Sequence, residues 1–150
     1  NEGCALQFAS ERLTHDEEIV RAALCSSCGK AIQFAADECR GAREMVLQAV
    51  ELDGLTLEYA TAEVRRDRDI VMVAVEEAGG ALAFASEELL RDRGVVLAAV
   101  QEHATALKYA HTDVLADKHI VRVAVQEQGS LLQLADASVR DDREVVMAAV

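Results

Sequence analysis

Apolar positions in this chain recur at fixed intervals. Counted from Gly54, they fall fourth, sixth, seventh and eleventh (Leu57, Tyr59, Ala60, Val64), then eighteenth, twenty-first and twenty-second (Val71, Ala74, Val75). The same order restarts at Gly3, Gly29, Gly79, Ala104 and Gly129. This gives six units of about 25 residues: 3–28, 29–53, 54–78, 79–103, 104–128 and 129–150. The first unit carries one extra residue before Gly29, and the last stops at Val150. Self-similarity at such a period marks a repeat architecture.

Within each unit the spacing predicts two short helices. Position four is Leu6, Ile32, Leu57, Leu82, Leu107 and Leu132; position seven is Ala9, Ala35, Ala60, Ala85, Ala110 and Ala135; position eleven is Leu13, Cys39, Val64, Leu89, Val114 and Val139. Apolar residues three and four apart line one face of a helix. An unvarying alanine on that face predicts a close helix crossing where nothing larger fits. Asp16, Asp67, Asp92, Asp117 and Asp142 announce the second helix, because a carboxylate there can accept from free N–H groups at the positive end of the dipole. The second unit has Ala42 instead, so its second helix is expected to start least firmly.

That helix carries a strip of Val20, Val46, Val71, Val96, Val121 and Val146, followed three residues later by Ala23, Ala49, Ala74, Ala99, Ala124 and Ala149. Glycine then closes the unit, in the left-handed conformation that ends helices. Helices of about ten residues do not hold alone in water. Stacked, they cover one another's apolar faces, so the expected fold is all-α: an α-solenoid of six stacked helical hairpins. Solenoids carry polar faces on their end units. Asn1 and Glu2 read instead as the tail of a preceding unit, and Val150 falls inside a core column, so a segment of a longer array is expected.

Composition sharpens the picture. The chain is 51% hydrophobic but has no proline, three Phe and two Tyr. All five rings occupy position six (Phe8, Phe34, Tyr59, Phe84, Tyr109, with Leu134 in the last unit), so the core is expected to use one ring per hairpin. Fifteen basic residues against 27 acidic ones leave a net charge of −12, which disfavours a nucleic-acid binder dependent on neutralising phosphates. No apolar run approaches the length of a membrane span; Ile70 to Val75 is among the longest. The residues do not fix a compartment; a soluble intracellular or organellar chain is expected rather than a secreted one.

The pattern G-x-A-L-x-F/Y-A-S-x-x-L-x-x-D-R-x-V-V-x-x-A-V, complete from Gly79 to Val100, resembles the domain of unknown function 4116 repeat family across essentially the whole chain. The resemblance implies helical-hairpin arrays of bacterial and protist proteins, with no assigned chemistry and no catalytic residues to carry over. Asp67 to Val75 is also similar to leucine-rich-variant repeats. Those place proline before a 3₁₀ segment, and this chain has none.

Candidate chemistry is sparse. Cys4, Cys25, Cys28 and Cys39 all lie in the first two units. Cys25 and Cys28 have C-x-x-C spacing, and an antiparallel hairpin brings Cys4 toward them, as a metal site or a disulfide would need. Cys39 stands in a core column and counts against a four-ligand site. The plain alternative is four small apolar or loop residues. His15, His103, His111 and His119 fall in four different columns, as solvated surface residues do.

Arg43, Arg68, Arg93, Lys118 and Arg143 form a basic column, expected to be neutralised by Glu38, Glu63, Glu88 and Asp113. Glu51, Asp53, Glu76, Glu77, Glu102 and Glu127 gather at the opposite edge, faced by no basic column. No Ser/His/Asp grouping or phosphate loop is present, so neither catalysis nor a resident cofactor is expected.

The leading expectation is a non-enzymatic scaffold or accessory subunit that binds protein partners, without a small-molecule substrate, within a larger assembly. Its docking surface would be Leu47, Met72 and Leu97 on the second helices, together with the acids Glu51, Glu76, Glu77, Glu102 and Glu127. The alternative is a cysteine-dependent metal or redox module built on Cys4, Cys25 and Cys28.

Overall fold

The computed structural model describes residues 3–27 and 29–150, with Gly3 and Cys4 described by their backbone alone. The described residues contain helices and no strand, and successive helices pack side by side as a helical-repeat solenoid. Six long α-helices set the rhythm: Glu17–Ser26, Arg43–Leu52, Arg68–Glu77, Arg93–Glu102, Lys118–Glu127 and Arg143–Ala149. Their starts lie 26 residues apart once and 25 thereafter.

The first predicted helix of each unit is not one helix. It is a 3₁₀ segment, such as Gly54–Tyr59 or Gly79–Phe84, then a break, then a short turn such as Val64–Arg66 or Leu89–Arg91. The break falls at the unvarying alanine. Ala60 and Ala85 have ψ of 152° and 157°, extended backbone that no helix continues through. The next amide is claimed by the preceding unit: Ala36, Thr61, Ser86, His111 and Asp136 donate N–H to the carbonyls of Thr14, Arg40, Arg65, Leu90 and Leu115, at 3.0–3.1 Å. An amide bonded across the unit boundary is lost to the local ladder, which is why the helix stops there. The alanine therefore ends a segment and does not mark a helix crossing. The 3₁₀ segments form here without proline.

The long helices behave as expected at their starts. Asp16, Asp67, Asp92, Asp117 and Asp142 each accept from the second and third helical N–H groups through Oδ1, at 2.8–3.4 Å. Ala42 offers no such cap. Four residues of each central helix are fully enclosed, for example Ile70, Val71, Ala74 and Val75, or Ile120, Val121, Ala124 and Val125. The first of each four was absent from the predicted strip.

Glycine ends the units for a reason other than the expected one. Among the described residues only Gly29, after the extra residue, has a left-handed backbone, with φ of 82°. Elsewhere the glycine is needed for close approach: a Cβ on Gly54, Gly79 or Gly129 would lie 2.1–2.4 Å from the carbonyl oxygen of Ala74, Ala99 or Ala149. The 3₁₀ segment thus runs directly beneath the long helix of its own unit, and the small residues on both sides set that distance. The rings also differ from expectation. Phe34, Tyr59, Phe84 and Tyr109 are half-buried against the core, and Phe8 is 84% exposed, so the column forms the rim of the core and not its centre.

The buried apolar residues divide into a large cluster from Val46 to Val145 and a smaller one from Leu6 to Ala49, meeting on the Arg43–Leu52 helix. Two electrostatic features are missing at this boundary. Ala42 replaces the capping aspartate, and Glu17 stands where later units carry Arg or Lys. Ala42→Asp alone gains a cap but faces Glu17. Combined with Glu17→Arg, it is expected to stabilise the chain by about 1–2 kcal/mol and to slow amide exchange in the first two units. Urea midpoints of the two single variants and the double variant measure this, with the double exceeding the sum of the singles.

Candidate functional site

The two edges of the solenoid have opposite electrostatic character, and each is set by where a residue falls on the long helices. At the edge where those helices begin, the basic column is neutralised from Arg43 to Lys118, though not by the expected acids, and Arg143 makes no ion pair among the described residues. Arg43 Nε bonds Asp67 Oδ2 at 2.9 Å, Arg68 Nε bonds Asp92 at 3.0 Å and Arg93 Nε meets Asp117 at 2.8 Å; Lys118 Nζ meets Asp142. Each aspartate uses one oxygen to cap its own helix and the other to hold the cation of the preceding unit. Glu63 and Glu88 make no ion pair among the described residues. Glu38 meets His15 at 3.4 Å, and Asp113 meets Arg91 and His111, so none of the four expected acids reaches the ladder.

This double use perturbs the carboxylates. Burial pushes Asp67 up, but bonds from Arg43 and from the Ile70 and Asp69 amides outweigh it, so its pKa lies below the usual value. The hydrogen bond from Arg68 lowers Asp92, and that from Lys118 lowers Asp142. A carboxylate with a lowered folded pKa stabilises the fold above its unfolded pKa, and the contribution disappears as pH falls through the folded pKa. Stability is therefore expected to be flat from about pH 7 to 5 and to decline below about pH 4, with Asp92→Asn shrinking the decline. Urea midpoints at pH 7, 5 and 3 measure it.

At the opposite edge Glu51, Glu76, Glu77, Glu102 and Glu127 are all exposed, and none makes an ion pair among the described residues. Asp53 differs. It accepts from the Leu55 amide at 3.0 Å and lies 3.8 Å from Lys30 Nζ, so it belongs to the fold and not to the free edge. Two leucines accompany the acids, Leu52 at 41% and Leu55 at 47% exposed. Leu55, Gly79, Gly80, Glu102 and His103 line a shallow, open apolar hollow of about 330 Å³. Sequence reasoning missed these leucines. The available signal was an apolar residue in a polar column, since Leu52 aligns with Glu77, Glu102 and Glu127.

Leu47, Met72 and Leu97 are half-buried and pack against the large core cluster. Their outer surfaces continue with Val73, Ala98 and Val123 along the helix layer, all likewise half-buried. Met147 and Arg122 in the same column are exposed, and Arg21 reaches Gln48 and Glu44 of the next unit at 3.4 and 3.5 Å.

Of the cysteines, Cys28 and the side chain of Cys4 lie outside the described residues. Cys25 is an exposed free thiol whose sulfur accepts from Gln48 Nε2 at 3.4 Å. Cys39 is buried, as its column required, with Sγ 3.8 Å from the Thr14 carbonyl oxygen. Burial, reinforced by Glu17, Glu38 and Asp16, pushes its thiol pKa up, which keeps it protonated and unreactive. Among the histidines, His15 Nδ1 lies 2.7 Å from the Glu11 carbonyl and His111 sits between Arg91 and Asp113, so both are tied into surface networks. His103 and His119 are exposed.

No described helix is long and apolar enough to cross a membrane. Residues 1–40, 42–90 and 67–115 match the family described as Domain of unknown function (DUF4116). No curated protein and no solved structure matches the chain.

Proposed function

We infer that this chain, which belongs to the Domain of unknown function (DUF4116) family, acts as a non-enzymatic helical-repeat scaffold that docks a basic protein partner along its acidic edge. The observation that carries the reading is the contrast between the edges. Arg43, Arg68, Arg93 and Lys118 and the capping carboxylates satisfy one another at the helix starts, whereas Glu51, Glu76, Glu77, Glu102 and Glu127 stand exposed and without ion pairs among the described residues at the helix ends. Carboxylates at a helix C-terminus oppose the dipole, so they detract slightly from stability there. A partner bringing Lys or Arg would relieve that repulsion.

The hollow beside Leu55 adds an apolar seat among the acids, and interfaces draw most of their affinity from such central apolar anchors. The half-buried strip through Leu47, Met72 and Leu97 extends the same face of the array. Because each unit repeats the geometry at a fixed offset, a partner with basic residues at matching intervals would gain from several weak contacts at once.

Glu76→Gln, Glu77→Gln and Glu102→Gln together remove three charges without touching the core. The triple variant is expected to keep its urea midpoint, to bind its native partner about tenfold or more weakly, and to lose most of the salt dependence of that binding. Unchanged affinity at low salt would refute the acidic edge as the docking surface.

A further inference from the structure

We propose that the groove between the third and fourth units binds a phosphate-type oxyanion through Arg65 and Arg66, with Ser86 as a third donor. The groove has a volume of about 260 Å³ and is lined by Arg65, Arg66, Phe84, Ser86 and Glu87. Arg65 Nε and Ser86 Oγ are both closed off from solvent and have no hydrogen-bond partner. A buried donor left unpaired is unfavourable, and the two residues that carry these donors line one groove, where an acceptor would relieve them. Neither Arg65 nor Arg66 makes an ion pair among the described residues. Glu87, the one acid on the wall, is held by Arg91 at 2.9 Å and is not turned to them.

The second unit shows what belongs in the space. Arg40 occupies the same position of the repeat as Arg65, and its Nε is likewise buried and unpaired. Its guanidinium nevertheless has an oxyanion of its own, the carboxylate of Asp37 three residues earlier. In the third unit that position is Ala62, whose methyl lines the groove, so the guanidinium is left without its internal carboxylate. Arg66 stands next to it where the second unit has Gly41, doubling the positive charge. A planar guanidinium fork pairs with two oxygens at once, and two forks suit a doubly charged phosphate better than a carboxylate. The fourth and fifth units have Leu90 and Leu115 in place of Arg65; the sixth has Arg140, but Asp141 stands beside it where the third unit has Arg66, so the pair of arginines occurs once. Phe84 on the wall leaves an apolar side against which an organic body attached to the phosphate would rest.

The test titrates the 150-residue chain with inorganic phosphate against chloride at constant ionic strength, following the Arg65 Nε–H resonance by ¹H–¹⁵N NMR. The expected result is a saturable shift at one equivalent. Ala62→Asp supplies the internal carboxylate of the second unit and is expected to weaken binding about tenfold with no loss of fold, and Arg65→Gln to weaken it at least as much. Phenyl phosphate separates the sources. Tighter binding than inorganic phosphate identifies a phosphate monoester, and equal binding identifies free phosphate, and in either case the oxyanion assignment stands. A shift no larger than that from chloride, or an Ala62→Asp variant that binds like the parent, would overturn it.

Discussion

Gly54→Val is expected to destabilise the chain by about 3 kcal/mol, an effect at the upper end of overpacking substitutions. Gly54 is buried, and a Cβ there would come within 2.2 Å of the Ala74 carbonyl oxygen, 3.1 Å of the Ala78 nitrogen and 3.2 Å of the Ala74 carbonyl carbon. All three are backbone atoms of the long helix above and its C-terminal cap, so no side chain can swing aside. A branched residue must push the 3₁₀ segment away from the helix and open the core between them. Gly54→Ala is expected to be milder, because Ala104 fills the same position in the fifth unit and the array accommodates one methyl there. Thermal or urea unfolding of both variants measures the difference. An alanine variant as stable as the parent would mean that close approach is not what the glycine provides.

Ile70→Ala is the second large effect, expected at about 2–5 kcal/mol against the roughly 5–15 kcal/mol that holds a domain together. Ile70 is fully enclosed, between the 3₁₀ layer and the neighbouring long helices. Met72, two residues on, shows part of its side chain to solvent, so Met72→Ala is expected to reduce stability by only about 1 kcal/mol. Urea midpoints with unchanged slopes give both numbers. Comparable losses at the two sites would place the Leu47, Met72 and Leu97 column in the core and remove it from the candidate docking surface.

These contrasts show what could be read in the residues. The repeat itself, the capping aspartates and the missing cap at Ala42 were legible because each is a local rule that one residue type satisfies. The break at the unvarying alanine was not, because apolar residues at positions four, seven and eleven satisfy helical spacing whether or not the chain is helical between them. What decides the matter is a hydrogen bond from Thr61 or Ser86 to the preceding unit, and no local pattern encodes a partner some twenty residues away. Ser10, Thr61, Ser86 and Asp136, all good helix starters, were the overlooked hint of a second start within the unit.

The same distinction separates the two edges. The basic column was visible, but its partners were misassigned because the capping aspartates carry a second oxygen whose use depends on stacking geometry. Glycine was read for its backbone freedom, whereas among the described residues only Gly29 uses it, and Gly54, Gly79 and Gly129 provide room. The acidic edge could be found from the column of glutamates. Leu52 beside it carried a signal too, as an apolar residue in that column, but the hollow next to Leu55 depends on how one unit sits on the next.

Carboxyl footprinting of the chain in its native complex, read residue by residue by mass spectrometry, tests the acidic edge most directly. Docking of a basic partner is expected to protect Glu51, Glu76, Glu77, Glu102 and Glu127 from modification while leaving Glu63 and Glu88 as reactive as in the free chain. Protection confined to Glu63 and Glu88, or glutamates at the helix ends that react equally in both states, would contradict it.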